Sequence, residues 1–156
     1  MRFWFDTEFI EDGRTIELIS IGVFSEDRRL YYAEPAECDL SRADTWVQEN
    51  VFTHLHGRKT PRSVIARELI EFMGFEPEIW AYYADYDWVA LCQLYGRMLD
   101  IPKGWPKFCR DVKQLCDSLG NPKLPKQEMN EHNALADAIW TAQAWRFLQD
   151  LKNNSD

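Results

Sequence analysis

The densest apolar patterning lies at the start of the chain. Phe3, Trp4 and Phe5 form an aromatic run that leads into Asp6-Thr7-Glu8-Phe9. A charged, turn-prone break follows at Glu11-Asp12-Gly13-Arg14, and then a second apolar run from Ile16 to Phe24. This pattern predicts a hairpin of two strands with a tight connection. Arg28 to Ala33 reads as a third strand, entered through a Glu26-Asp27 turn and ended by Pro35. Three consecutive strands on short connections point to antiparallel pairing.

The period then lengthens. Ser41 is the expected cap of a helix over Ala43 to Val51. His54-Leu55-His56-Gly57 reads as a polar loop; a His-x-His pair can bind metal, but the neighbouring sequence supplies no further ligands. Thr60 and Pro61 form an N-cap and first helical position, and the stripe Val64, Ile65, Leu69, Phe72, Met73 runs up to Gly74. Glu78 to Tyr83 reads as a buried strand, passing through Ala84-Asp85-Tyr86-Asp87 into a helix over Trp88 to Tyr95. Beyond a loop from Gly96 to Pro106, Phe108-Cys109 reads as a short strand and Asp111 to Leu119 as a helix closed by Gly120. Asn121 to Met129 is a loop with Pro122 and Pro125; Lys123 and Lys126, with Lys113 upstream, make it the most basic local stretch. The last helix is expected from Asn130 to about Leu151, with the stripe Leu135, Ala138, Ile139, Ala142, Trp145. Strands followed by alternating helices and strands predict an α/β protein, a mixed sheet flanked by helices. With no repeat or linker in view, residues 1–151 read as one domain and 152–156 as a frayed tail.

Composition narrows the function. The chain has 156 residues, is 46% hydrophobic and 14% aromatic, and can bury a proper core. Its formal charge of −8 argues against holding duplex nucleic acid on a broad basic face. It leaves room for a nuclease whose acidic site imports positive charge as metal. Cys38, Cys92, Cys109 and Cys116 form no C-x-x-C pair and read as reduced core residues, which fits a cytoplasmic protein. No apolar run reaches the length of a membrane span, and acids at positions 6 and 8 do not suit a signal peptide.

The candidate chemistry sits at element ends. Asp6 and Glu8 project from one face of the first strand, because side chains alternate. Two carboxylates that close repel each other unless a cation lies between them, so the pair reads either as a divalent-metal site or as an edge strand with two solvated acids. Asp85 and Asp87 fall where a strand turns into a helix, a place where ligands collect in open α/β sheets. One is expected to cap the helix or point outward and the other to reach the site. His132 is placed in the first turn of the last helix, with Asp137 five residues on, offset by roughly 140° around the axis. Asp137 lies beside Ala134 and Ala138, where a carboxylate is costly without a partner; the alternative is the helix's wet face.

Together, Asp6-Thr7-Glu8, Tyr86-Asp87 and His132-Asn133-Ala134-Leu135-Ala136-Asp137 resemble the three motifs of the DnaQ-like exonucleases, whose active site is Asp-Glu-Asp-Asp-His on a ribonuclease H-like fold. The opening from Phe5 to Gly22 is similar to the small bacterial polyadenylate-specific 3′-exoribonucleases first described from mycobacteria. One departure is Tyr83-Ala84-Asp85-Tyr86, where many relatives carry a Gly-His-Asn type of lead. The resemblance implies a 3′-5′ exoribonuclease that releases nucleoside 5′-monophosphates. It implies two Mg²⁺ or Mn²⁺ ions held by Asp6, Glu8, Asp87 and Asp137, with His132 as general base. It implies an RNA 3′ end, single-stranded or overhanging, as partner, contacted by Thr7 and by Phe9, which either stacks on the terminal base or sits in the core. Relatives of this class are often dimers, and the aromatic surplus allows a homodimer. Other readings are the same chemistry on DNA, or a ribonuclease H-like module that binds nucleic acid or protein without cutting. A zinc protein built on His54, His56 and the cysteines lacks ligand spacing.

Overall fold

A computed structural model describes residues 1–128 and 130–155 of the chain. A mixed six-stranded sheet in the order β4-β3-β2-β1-β5-β6 carries helices on both faces. The strands are β1 (Arg2–Glu11), β2 (Ile16–Ser25), β3 (Leu30–Pro35), β4 (Lys59–Thr60), β5 (Glu78–Ala81) and β6 (Arg110–Asp111). The helices are α1 (Thr45–Asn50), α2 (Arg62–Met73), α3 (Asp85–Gln93), α4 (Val112–Ser118) and α5 (Ala134–Ser155). Among the described residues, no helix is long and apolar enough to cross a membrane.

β1 is the inner strand on which the rest is built. It pairs antiparallel with β2 and parallel with β5. Its alternation decides which helix meets which residue. Phe3 and Phe5 point into a core with Leu18, Ile21, Ile65, Leu69 and Leu91, the side covered by α2 and α3. Trp4 points the other way, onto Ala138 and Ala142 of α5. Those alanines leave room for the indole, and Trp145 closes over it at a ring separation of 5.4 Å. Asp6 and Glu8 share the parity of Trp4 and so face α5; Thr7 shares that of Phe5 and faces α3.

Two features bring α5 down onto the sheet beside Asp6. Gly22 is the cross-strand partner of Asp6. A Cβ built at Gly22 would lie 2.3 Å from Leu135 N and 2.4 Å from the carbonyl of Ala134, so only glycine admits the helix start there. Past Glu8 the register shifts, Glu8 pairing with Ser20 and Phe9 with Leu18. The bulge turns Ile19 into a small core with Ile10, Ala43 and Val51, which seats the α1 segment beyond the acids.

Several boundaries differ from the sequence reading. Asp44, not Ser41, caps α1, its carboxylate accepting from Val47 N at 2.8 Å, while Ser41 lies in a short 3₁₀ turn capped by Asp39. Thr60 pairs with Pro35 in β4 and does not cap α2, for which Pro61 is the N-cap. β6 lies at Arg110–Asp111, just after the expected Phe108-Cys109. α3 starts at Asp85, one turn earlier than expected. α5 starts at Ala134, after His132, and continues through Lys152–Ser155, the stretch read as a tail. Met129 and Asp156 lie outside the described residues.

Candidate active site

β1 and β5 stay in register only from Arg2–Glu78 to Trp4–Trp80. Beyond that β5 ends and the chain turns through Tyr83, with φ of 55°, into α3. β1 continues to Glu11, so its flank beside Asp6 and Thr7 loses its strand neighbour and opens a crevice at the strand ends. A backbone N–H left there needs an acceptor. Asp87 supplies it: its Oδ1 accepts from Thr7 N at 2.9 Å and from Thr7 Oγ1 at 2.5 Å. Asp87 is 6% exposed, whereas Asp85 points outward. Neither acid is the N-cap of α3, which is Ala84. The spacing works because Asp87, two residues on from exposed Asp85, falls on the inward side of the first turn.

His132 is not on the helix. It sits in a turn with φ of 66°, and Asn133 follows it with Oδ1 accepting from Ala136 N at 3.0 Å, which caps α5. The angular offset between His132 and Asp137 therefore does not apply. The Asp137 carboxylate reaches back over the helix start, and its Oδ2 accepts from His132 N at 3.0 Å. Its Oδ1 accepts from Gln127 Nε2 at 2.6 Å. Against the outer side of the imidazole stands Trp46 of α1, edge-on with a ring separation of 4.9 Å.

Glu8, His132 and Asp137 converge, one ligand atom from each lying within 4.8 Å of the others. Asp6 lines the same cavity, of about 290 Å³, with Tyr82, Gln127, His132, Asp137 and Trp140. Desolvation first, and then neighbouring charge, move these acids out of their ordinary range. Burial raises the Asp6 carboxyl well above its usual value, and the charges of Asp87, Asp137 and Glu8 add to it. Burial, then Asp137 and Asp87, lift Glu8 to about 8. Burial lifts Asp87 to about 6 against the lowering effect of its two Thr7 bonds. Asp137 is raised by burial, against the bonds from Gln127 and His132 N. Such a cluster lacks positive charge. Carboxylate oxygens with one imidazole at hand suit a hard divalent ion such as Mg²⁺ or Mn²⁺.

The other expectations divide. Thr7 is 4% exposed and its hydroxyl donates to Asp87, so its side chain orients an acid. Phe9 is half-buried, edge-on to Tyr86 at 5.8 Å, where half of Tyr86 remains exposed. Lys123 and Lys126 are exposed. His56 lies against Tyr32 at 4.4 Å, and its backbone N–H, with that of Gly57, is held by the buried Glu34 carboxylate; His54 and His56 belong to no metal-ligating group among the described residues. The four cysteines are free.

Residues 1–149 match the family described as the 3′-5′ exoribonuclease Rv2179c-like domain. The chain belongs to this family. It is 44% identical to the 3′-5′ exoribonuclease Rv2179c of Mycobacterium tuberculosis strain H37Rv over 156 residues, 95% of this chain and 93% of that protein. The exoribonuclease MT2234.1 of strain CDC 1551 matches equally. Among solved structures, E. coli exonuclease I in complex with a dT13 oligonucleotide superposes with a TM-score of 0.66 at 12% identity, over 98% of this chain and 42% of that one. The RNase domain of yeast Pop2 does so at 0.51 and 12%, over 94% of this chain and 77% of that one. At these identities the structures establish the fold, which is the DnaQ-like arrangement expected from the motifs.

Gly22, Gln127 and Trp46 also shape the site and lie outside the three motifs. A glycine in the middle of a buried strand is a readable sign of close backbone approach, which identifies Gly22. Gln127 and Trp46 carry no such signal, because each reaches the site from a loop or short helix placed by long-range contacts.

Proposed function

We propose that the chain is a 3′-5′ exoribonuclease that shortens RNA from its 3′ end with divalent ions held by Asp6, Glu8, Asp87 and Asp137. The observation that carries this reading is the convergence of Glu8, His132 and Asp137 beside half-buried Asp6, at the open flank of β1, in a chain of an exoribonuclease family. Two bound ions, Mg²⁺ or Mn²⁺, would lower the pKa of the attacking water and neutralise the leaving oxygen. Asp6, which feels the charges of Asp87, Asp137 and Glu8 together, would be the ligand central to the group. Glu8 and Asp137 flank it from β1 and α5, and Asp87 approaches from the α3 side, oriented by Thr7. His132 takes the proton from the attacking water, with Asp137 holding its backbone and Trp46 its ring edge. Phe9 and Tyr86 offer an aromatic surface for the terminal base, a contact worth about 1–3 kcal/mol. The overall charge of −8 fits a protein that takes in only a single-stranded end. The exonuclease I structure that holds a dT13 oligonucleotide has the same fold, so the choice of sugar is the sharp question. RNA and DNA of one sequence, both 5′-labelled, are digested with Mn²⁺. A ladder shortening from the 3′ end on RNA, and slower on DNA, is expected; preference for DNA overturns the exoribonuclease assignment.

A further inference from the structure

Gln127 lies outside the five residues of the resemblance, yet it touches one of them directly. It sits on the segment between α4 and α5, which is fixed to the body by Trp140 Nε1 donating to Pro125 O at 2.9 Å and by the Cys116 thiol near Pro122 O at 3.5 Å. From this strap the Gln127 amide reaches the cavity wall and donates to Asp137 Oδ1 at 2.6 Å. With His132 N on Oδ2 at 3.0 Å, both oxygens of Asp137 are held by donors. Each carboxylate oxygen has a second lone pair, so the held carboxylate can still ligate an ion.

We propose that Gln127 is a positioning residue for ion binding: its amide holds the Asp137 carboxylate toward Glu8 and His132, so the strap governs metal affinity. This rests on the reading of Asp137 as a metal ligand. The residue type suits the task. A neutral amide orients the acid without cancelling its charge, whereas a Lys or Arg would form an ion pair and take the ion's place. Gln127 also lines the groove of the strap with Lys126, Asn130, Trp140 and Gln143, so it couples the site to the surface beside it.

The test is a Mn²⁺ titration without RNA, free Mn²⁺ being followed by electron paramagnetic resonance, on wild type, Gln127→Met and Gln127→Lys. Methionine keeps the length and removes the donor. Gln127→Met is expected to bind Mn²⁺ at least about tenfold more weakly, the usual effect of losing a partner of a ligand. Gln127→Lys is expected to bind more weakly still and to melt higher than wild type without metal, because the new cation relieves the acids. Equal Mn²⁺ affinity in Gln127→Met and wild type overturns the proposal and leaves the strap a packing element. Tighter binding also overturns it, since Gln127 then competes with the ion. Failure of wild type itself to bind Mn²⁺ sinks the metal reading on which the proposal stands.

Discussion

Replacing Gly22 with alanine adds one methyl group at the closest approach between the sheet and α5. The new Cβ would meet Leu135 N at 2.3 Å and Ala134 C and O at 2.4 Å. These are backbone atoms of the helix start and have no rotamer to escape into. Restoring ordinary contact, near 3.5 Å, lifts the helix by about 1 Å. Overpacking of this kind costs about 1–3 kcal/mol, and the absence of any flexible neighbour puts Gly22→Ala near the top of that range. For a chain of this size that is a fall in melting temperature of roughly 5–10 °C. The functional effect is larger. Gly22 is paired with Asp6, and the lifted turn carries Asp137, so the methyl separates these two acids of the cavity wall. A misplacement of about 1 Å can cost a factor of about 100 in turnover. Thermal melts, Mn²⁺ affinity and digestion of 5′-labelled RNA measure the three consequences on one sample. A Gly22→Ala protein with wild-type melting temperature and turnover would refute the account of how α5 reaches the site.

Stability should depend on pH in an unusual direction. Glu8 moves from an ordinary 4.5 to about 8 in the fold, and Asp87 from 3.8 to about 6. Raised acids hold protons in the folded state that the unfolded chain releases, so their metal-free contribution is full below pH 3.8 for Asp87 and below pH 4.5 for Glu8, and is lost as pH rises through about 6 and about 8. Saturating Mn²⁺ should flatten that slope in thermal melts; equal slopes with and without Mn²⁺ would count against ion binding at these acids. Thr7→Val removes the hydroxyl bond to Asp87 while keeping the shape and the backbone bond. It is expected to lose about 1.5–3 kcal/mol in urea unfolding and about tenfold in turnover, with Thr7→Ser retaining most of both. His132→Ala is expected to keep Mn²⁺ affinity and lose about 10²–10⁴ in turnover, as a general base does. Because His132 stands within 4.8 Å of Glu8 and Asp137, a matching loss of Mn²⁺ affinity would make it an ion ligand instead.

Much of this arrangement is legible in the chain. The aromatic run before Asp6 predicts an inner strand, and its alternation puts Asp6 and Glu8 on one face, where α5 lies. The Tyr86-Asp87 motif favours Asp87 over Asp85, and helix periodicity gives the physical reason once α3 is known to start at Asp85 and not at Trp88. What the pattern does not show is that Asp87 approaches from the opposite face of the sheet. That depends on Thr7, 80 residues away, losing a strand neighbour where β5 ends. The place of His132 is hidden for a local reason. Its positive φ and the Asn133 cap put it before the helix, and a histidine in the left-handed region carries no sequence mark as glycine does. Ser41 and Asp44 are both good caps, and only the packing of Ala43 and Val51 against Ile10 and Ile19 selects the second. Thr60 reads as a cap but is drawn into pairing with Pro35, a contact that no local pattern reveals.

The most direct test of the central claim is Asp6→Asn, the substitution of the acid that feels the charges of the other three. One neutral amide removes the charge proposed to be central to ion binding and leaves the strand and its packing in place. The account predicts a folded protein whose metal-free melting temperature is higher than wild type, since the desolvation of a carboxylate and its repulsion by the other acids are both relieved. It predicts that the 3′-shortening ladder on 5′-labelled RNA with Mn²⁺ disappears. Near-normal shortening by Asp6→Asn would contradict it.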